Sequence, residues 1–367
     1  MEIEVLQDRL AKALNAVSRV AASTKAGLPI LSNVLLRAVD NQLILTATNL
    51  ELATVEYVNA KVKNEGTITV PAKLLADFIS NLPKDTITLK AKGDKLEVSA
   101  GQYKSTINGI LADDFPELPS IDADKAVVFK INVDIFKEAL NEVVFASSND
   151  TSRPALTGVF FNTNEGSLYI AATDGYRLAD KRFVENVVSE MKAIVPTSTL
   201  QEVLRLLSDG MEDVEILVVD TQIRFRMGEI EVTSKLIDAS FPNYKQLIPK
   251  NSTISIVLDK AELVRMTKVA ALFARQSGGS VVCEANADAG TFSVSAVASE
   301  LGENSASMTA DVNESGKVTI NSAYLLAALN AITDTKVKFS FSGKLEPIVL
   351  ENAGNDEYTH IIMPLKS

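Results

Sequence analysis

His360 is the only histidine in the 367-residue chain, and Cys283 is the only cysteine. Any nucleophile–base arrangement of the Ser-His-Asp or Cys-His kind therefore depends on His360, which stands beside an apolar terminal strand and reads as a packing residue. One Cys and one His exclude zinc sites built on those ligands. A lone Cys also excludes an internal disulfide and fits a reducing compartment. Neither G-x-x-x-x-G-K-[ST] nor G-x-G-x-x-G occurs, so nothing points to a nucleotide cradle. Asp113-Asp114 offers paired carboxylates to a divalent ion but reads as an exposed acidic turn. With 47 acidic residues a two-carboxylate hydrolase has many candidate pairs, and no spacing singles one out. The sequence predicts no enzyme, no metal and no cofactor.

Binding chemistry remains. In Thr173-Asp174-Gly175-Tyr176-Arg177-Leu178 an Asp-Gly turn is followed directly by a ring, a guanidinium and an aliphatic side chain. The residues before it, 168–172, alternate as a strand does. A related strand and turn lies at 43–52, about 125 residues upstream, and a fainter one at 292–301. Three copies at even spacing make the chain a repeat, and only the middle copy carries Gly-Tyr-Arg-Leu.

The elements around these turns repeat as well. Each third opens with a short strand and an amphipathic helix, over 8–20, 134–145 and 259–274, with an Asp at each helix start placed to cap free N–H groups. The first of these helices is given the apolar face Leu6, Leu10, Leu14 and Val17. A second helix follows a short strand at 73–82, 199–207 and 322–332. The runs between have period two and read as antiparallel strands with one buried face. The fold class is α+β: three repeated units, each of two helices packed on antiparallel sheets. Matching segments around Phe115-Pro116 and Phe241-Pro242, followed by polar, Pro-containing stretches near 119–126 and 246–252, place boundaries at 1–121, 122–249 and 250–367. Strand edges left open at the ends of such a chain invite head-to-tail pairing, which closes into a ring if the rotation allows.

No apolar run is long enough to span a membrane, and the N-terminus has no signal-peptide pattern, so a cytosolic location is expected. The net charge is −11. Basic and acidic residues number 13 and 14, 13 and 20, and 10 and 13 in successive thirds. Such a surface does not hold DNA by blanket charge neutralisation.

Taken in order and at these spacings, several motifs resemble the bacterial DNA sliding clamps, the beta subunits of DNA polymerase III. They are Leu28-Pro29-Ile30-Leu31, Thr69-Val70-Pro71-Ala72, the 172–178 turn, Thr233-Ser234-Lys235-Leu236, Phe241-Pro242-Asn243-Tyr244 and Met363-Pro364-Leu365. The resemblance covers essentially the whole chain. It implies a head-to-tail homodimer closed around duplex DNA, with helices lining the hole. A clamp loader opens the ring; the replicative polymerase and repair proteins attach through short linear motifs. It also implies residence in the bacterial cytoplasm, at the nucleoid and replisome. A ring held by topology tolerates weak, salt-sensitive phosphate contacts, which removes the conflict with the net charge. The alternative is a peptide-motif-binding adaptor that does not encircle DNA.

By the same resemblance the peptide cleft comprises Leu156, Thr173, Gly175, Tyr176, Arg177, Leu178, Pro242, Leu247, Ile361, Met363, Pro364 and Leu365. Leu156, Leu178, Leu247, Ile361 and Met363 offer an apolar pocket, while Arg177 and backbone groups near Gly175 offer donors to a polar or carboxylate end. Lys25, Lys73, Arg153 and Arg205 are placed to face DNA, and Leu74, Ile107, Leu272 and Phe273 to close the ring. Three departures bear on motif preference and DNA contact: Tyr176 stands where His is common, Gln246 where some relatives carry Arg, and Ser198 where relatives can carry Lys.

Overall fold

The computed structural model describes residues 1–22, 27–118, 121–122, 125–208, 210–300 and 302–365. The first series of elements is β1 (Glu2–Leu6), α1 (Gln7–Ala22), β2 (Asn33–Val39), β3 (Gln42–Thr48), β4 (Leu52–Asn59), β5 (Lys61–Asn64), β6 (Gly66–Pro71), α2 (Ala72–Ser80), β7 (Thr86–Lys92), β8 (Lys95–Ala100) and β9 (Tyr103–Asn108). The second is β10 (Val127–Asn132), α3 (Val133–Val143), β11 (Gly158–Asn164), β12 (Ser167–Thr173), β13 (Arg177–Val184), β14 (Lys192–Pro196), α4 (Thr197–Leu206), β15 (Asp213–Val219), β16 (Gln222–Met227) and β17 (Ile230–Lys235). The third is β18 (Ile254–Asp259), α5 (Lys260–Ala274), β19 (Ser280–Asn286), β20 (Thr291–Ala298), β21 (Gly302–Thr309), β22 (Gly316–Asn321), α6 (Ser322–Ala331), β23 (Lys336–Phe341), β24 (Ile348–Asn352) and β25 (Tyr358–Ile362). One pattern recurs three times, with β5 as an extra strand in the first.

These elements pack into two compact units, 1–133 with 201–236, and 134–200 with 237–367. Each unit holds one eight-stranded antiparallel sheet. In the first the order is β10-β15-β16-β17-β4-β3-β2-β6, and in the second β18-β23-β24-β25-β13-β12-β11-β14. The two sheets match strand for strand. Each takes four strands from one sequence repeat and four from the next, so compact units and sequence repeats divide the chain at different places. The joining pairs are β17 with β4, at Thr233 opposite Ala53, and β25 with β13, at Ile361 opposite Leu178. A smaller sheet accompanies each: β5-β1-β7-β8-β9 in the first unit and β21-β20-β19-β22 in the second.

Helix faces follow the apolar spacing. Leu10, Ala13, Leu14, Val17, Val20 and Ala21 of α1 are buried, and Gln7 Nε2 donates to the Ile79 carbonyl at the end of α2 at 2.8 Å. Leu6 departs from the expected face: it ends β1 and is 55% exposed. Of the three helix-start Asp residues, Asp259 caps as expected, its Oδ1 accepting from the Glu262 N–H at 2.8 Å. Asp8 and Asp134 instead lie inside their first turns, where the helix dipole still favours a carboxylate.

His360 is fully buried on β25, stacked on Phe145 with centroids 5.5 Å apart, its Nδ1 3.1 Å from the Tyr358 hydroxyl. Burial, assisted by the Arg177 charge, holds its pKa down to about 3, so the ring is neutral. Cys283 is buried, and burial pushes its thiol up to about 12. Asp113 and Asp114 are exposed on a short 3-10 turn. No helix among the described residues is long and apolar enough to cross a membrane.

Equivalent places in the two large sheets bury opposite charges. In the second, Lys181 is buried on β13 and meets Glu142 at 2.9 Å, Glu138 at 3.3 Å and Glu357 at 3.4 Å. In the first, Glu56 is buried on β4 and its Oε2 has no hydrogen-bond partner among the described residues. Burial raises the Glu56 pKa from 4.5 to about 7, against the opposing pull of Lys12 and Arg205. Because the folded pKa lies above the unfolded one, Glu56 carries no penalty below about pH 4.5 and a growing one as pH rises through 7. Glu56→Gln is therefore expected to match the parent in urea unfolding at pH 4.5 and to exceed it by on the order of 2 kcal/mol at pH 8. A Gln variant less stable than the parent at pH 8 contradicts this reading.

Candidate functional site

The 173–178 turn is held from within. Thr173 Oγ1 donates to the Arg177 carbonyl at 2.6 Å and accepts from the Gly175 N–H at 3.0 Å. Asp174 Oδ1 accepts from the N–H groups of Tyr176 and Arg177 at 2.9 and 3.0 Å. The turn needs Gly175 in the left-handed region, at φ +93°. Its counterpart in the first unit is built the same way: Thr48 Oγ1 donates to the Leu52 carbonyl at 3.0 Å, Asn49 Oδ1 accepts from Glu51 and Leu52, and Leu50 sits at φ +76°.

After the turn, β13 runs antiparallel to β25, which sets Leu178 opposite Ile361. One residue beyond β25, the Met363 N–H donates to the Tyr176 carbonyl at 2.8 Å; the Leu365 N–H then donates to the Thr319 carbonyl at 2.8 Å. Tyr244 closes the other side, packed with Ala171, Leu178 and Ile361 in one buried cluster that Phe160, Phe241 and Ile248 flank. The Tyr244 hydroxyl donates to Asp180 at 2.8 Å and accepts from Asn162 Nδ2 at 3.3 Å, while Lys245 Nζ reaches Asp180 at 2.6 Å. Burial raises the Asp180 pKa, and Lys245 opposes the rise. These bonds fix the 3-10 turn Tyr244–Leu247, which presents Leu247.

The expected cleft residues thus take different parts. Leu156, Thr173, Leu178 and Ile361 are buried and form a floor. Tyr176, Leu247 and Met363 are exposed at 61%, 56% and 41% and make up the apolar surface open to solvent. Pro242 is exposed, and Pro364 and Leu365 are half-buried.

Two expected donors are already engaged. Arg177 Nε pairs with Asp174 at 3.0 Å, its Nη2 donates to the Phe145 carbonyl at 2.7 Å, and its guanidinium lies over the Tyr324 and Phe145 rings at 4.8 and 5.3 Å. The Gly175 N–H is taken by Thr173. Arg153, expected to face DNA, lies beside the same turn. A Cβ on Gly175 would come within 3.1 Å of Arg153 Nη1, and Arg153 Nη2 stands 3.4 Å from the Asp174 carbonyl. Arg153 is about half exposed and, among the described residues, pairs with Asp150 at 3.2 Å. The sequence signal was available: Arg153-Pro154 opens the segment that leads to Leu156.

The other expected sites divide similarly. Lys73 is exposed on α2, and Lys25 lies outside the described residues. Arg205 is not a free cation: it pairs with Glu202 and donates to the Ala16 carbonyl at 2.7 Å, clasping α1. The exposed cations of α1 are Arg9, Lys12 and Arg19, and those of α5 are Arg265 and Lys268, with Arg275 exposed just beyond its end. Leu74 and Leu272 are exposed at 54% and 52%, and Phe273 is half-buried. Ile107 is only 5% exposed and belongs to the core beneath β9.

Floor and contact surface are expected to separate on mutation. Leu247→Ala and Met363→Ala remove exposed side chains, so each is expected to weaken binding of an apolar peptide motif about five- to thirtyfold while shifting stability by less than about 0.5 kcal/mol. Leu178→Ala opens a cavity beneath the surface and is expected to cost about 2–5 kcal/mol of stability as well. Calorimetric titration with a motif peptide, paired with denaturant melts, reads both; a Met363→Ala variant that binds normally removes the C-terminal wall from the cleft.

Comparison with known proteins identifies the family and the fold. Profiles of the N-terminal, central and C-terminal domains of the DNA polymerase III beta subunit match residues 1–119, 130–243 and 245–366. The beta sliding clamp of Staphylococcus aureus (strain Mu50) is 28% identical, with full coverage of both chains. The crystal structure of the DNA polymerase III subunit beta from Pseudomonas aeruginosa superposes with a TM-score of 0.94 at 29% identity, again over all of both chains. A sliding clamp from Bartonella birtlesii gives 0.93 at 27% identity. The chain belongs to the DNA polymerase III beta subunit family, the bacterial beta sliding clamps.

Proposed function

We propose that the chain is a DNA sliding clamp, two copies of which close head to tail around duplex DNA and tether the replicative polymerase and other DNA-processing proteins. It performs no chemistry of its own. The observation that carries this reading is the family match across all three repeats. Net charge then has a physical place: a closed ring is retained by linkage, so a protein of charge −11 needs only scattered cations towards phosphate. Lys73 and the exposed cations of α1 and α5 suit that task, and Arg153 is reassigned to the peptide cleft. The repeats 1–121, 122–249 and 250–367 serve as the three clamp domains. The cell compartment that fits is the bacterial cytoplasm, at the replisome.

Ring closure has candidate edges. β9 and β21 are terminal strands of the two small sheets; β21 alternates between exposed and partly covered positions, and β9 is exposed apart from Ser105 and the buried Ile107. Open edges expose unpaired N–H and C=O groups, which a second copy can satisfy. Pairing β9 of one copy with β21 of the next brings Lys104 and Glu303 onto facing edges, with Leu74 and Leu272 as flanking apolar contacts.

The peptide cleft supplies the tether. Its exposed apolar surface is small and its polar groups are mostly satisfied internally, so partner motifs are held at about micromolar affinity and exchange.

Native mass measurement is expected to give twice the 39.5 kDa chain. Leu74→Asp combined with Leu272→Asp is expected to shift it to one chain and to abolish processive synthesis, with peptide affinity retained. A wild-type mass of one chain would favour the adaptor that does not encircle DNA.

A further inference from the structure

The two eight-stranded sheets match in register, so each position on one has a twin on the other. Thr46 corresponds to Ala171, Ala53 to Leu178, Val55 to Asp180, Arg37 to Asn162 and Thr233 to Ile361. The covering segments correspond too: Phe115-Pro116-Glu117-Leu118 stands where the other sheet has Phe241-Pro242-Asn243-Tyr244. In the second sheet the covered space is full. Tyr244 is 3% exposed against Ala171, Leu178 and Ile361, Phe241 stacks on Phe160 at 4.8 Å, and Tyr244 meets Phe160 edge-on at 6.4 Å.

In the first sheet the same place holds a hollow of about 730 Å³. Leu35, Ile44, Val55, Tyr57, Phe115 and Leu118 supply its apolar walls. The cause is substitution at three twin positions: Ala53 and Thr233 are smaller than Leu178 and Ile361, and Leu118 brings no ring. A volume of this size suits a bound side chain together with its flanking backbone.

A donor and an acceptor flank the hollow as they flank Tyr244, although Val55 stands at the Asp180 position and the acceptor comes from the next strand. In the second sheet Asn162 donates to the phenol oxygen and Asp180 accepts from its O–H. In the first, Arg37 stands at the Asn162 position, exposed and lining the hollow. Glu231, directly across from Val55 on the neighbouring strand, lines it as well; one carboxylate oxygen pairs with Arg226 Nε at 2.9 Å, and the other, 3.7 Å from Arg224, is the acceptor on this side of the hollow. The exposed Asp113 and Glu117 at the rim favour a basic neighbour, as Asp180 holds Lys245 next to Tyr244.

We infer that this hollow is a second peptide-docking site, which takes the ring of a tyrosine followed by a basic residue from an extended segment of a partner protein. The inference rests on the fold and the repeat, and it does not depend on ring closure.

The probe is an acetylated, amidated heptapeptide copying residues 241–247, Phe-Pro-Asn-Tyr-Lys-Gln-Leu, titrated calorimetrically into the full-length protein. The wild type is expected to bind one equivalent per chain, and the Tyr-to-Ala peptide to bind at least about tenfold more weakly. Leu118→Tyr supplies the missing ring in cis, and Ala53→Leu fills the floor. Each is expected to weaken binding about tenfold or more with the native mass unchanged, whereas Met363→Ala in the other cleft leaves it within about twofold. Absence of binding to the wild type overturns the inference. So does binding that Met363→Ala abolishes or that both filling variants leave intact. If one filling variant misfolds, the other and the Ala peptide still decide.

Discussion

The antiparallel pairing of β13 with β25 is the contact on which the candidate site depends. It joins strands more than 170 residues apart in sequence, Leu178 to Ile361, and so turns two sequence repeats into one continuous sheet. Without it Tyr176 and Met363 have no common surface, Arg177 loses the frame that turns it inward, and Tyr244 has no floor to pack on. The first unit uses the same device, β4 with β17, at the same positions. Backbone hydrogen bonding across repeats therefore performs two tasks together. It removes strand edges that would otherwise pair at random, and it brings side chains of two repeats onto one sheet face at each seam.

Because the seams share one architecture, side chains alone make them differ. At the second seam Leu178, Ile361 and Tyr244 fill the sheet face and leave a shallow apolar surface above it. At the first seam Ala53, Thr233 and Leu118 leave a hollow. The buried charges differ in the same way, Lys181 with its carboxylates in one sheet and Glu56 in the other. A repeated scaffold with unlike fillings suits a protein that performs no chemistry and works by holding different partners.

Much of this was legible in the sequence. The threefold repeat, the six helices and the period-two strands follow from apolar spacing, and the Asp-Gly turn from the backbone freedom of Gly175. What was hidden depended on long-range geometry. Nothing local says that Arg177 spends its donors on Asp174 and the Phe145 carbonyl, or that Arg205 clasps α1 instead of facing solvent. Arg153 reads as a surface cation until the turn containing Gly175 is seen beside it. Ile107 and Leu74 look equally apolar in sequence, yet one is core and the other exposed, because strand alternation and helix face decide burial.

The central claim is that the protein holds DNA by enclosing it, and topological retention tests that most directly. Loaded onto nicked circular DNA and passed through a sizing column, the protein is expected to co-elute with the circle. After a single cut linearises the DNA it is expected to run off the ends and elute free. Equal retention on circular and linear DNA would mean that surface affinity holds it, and would contradict the account.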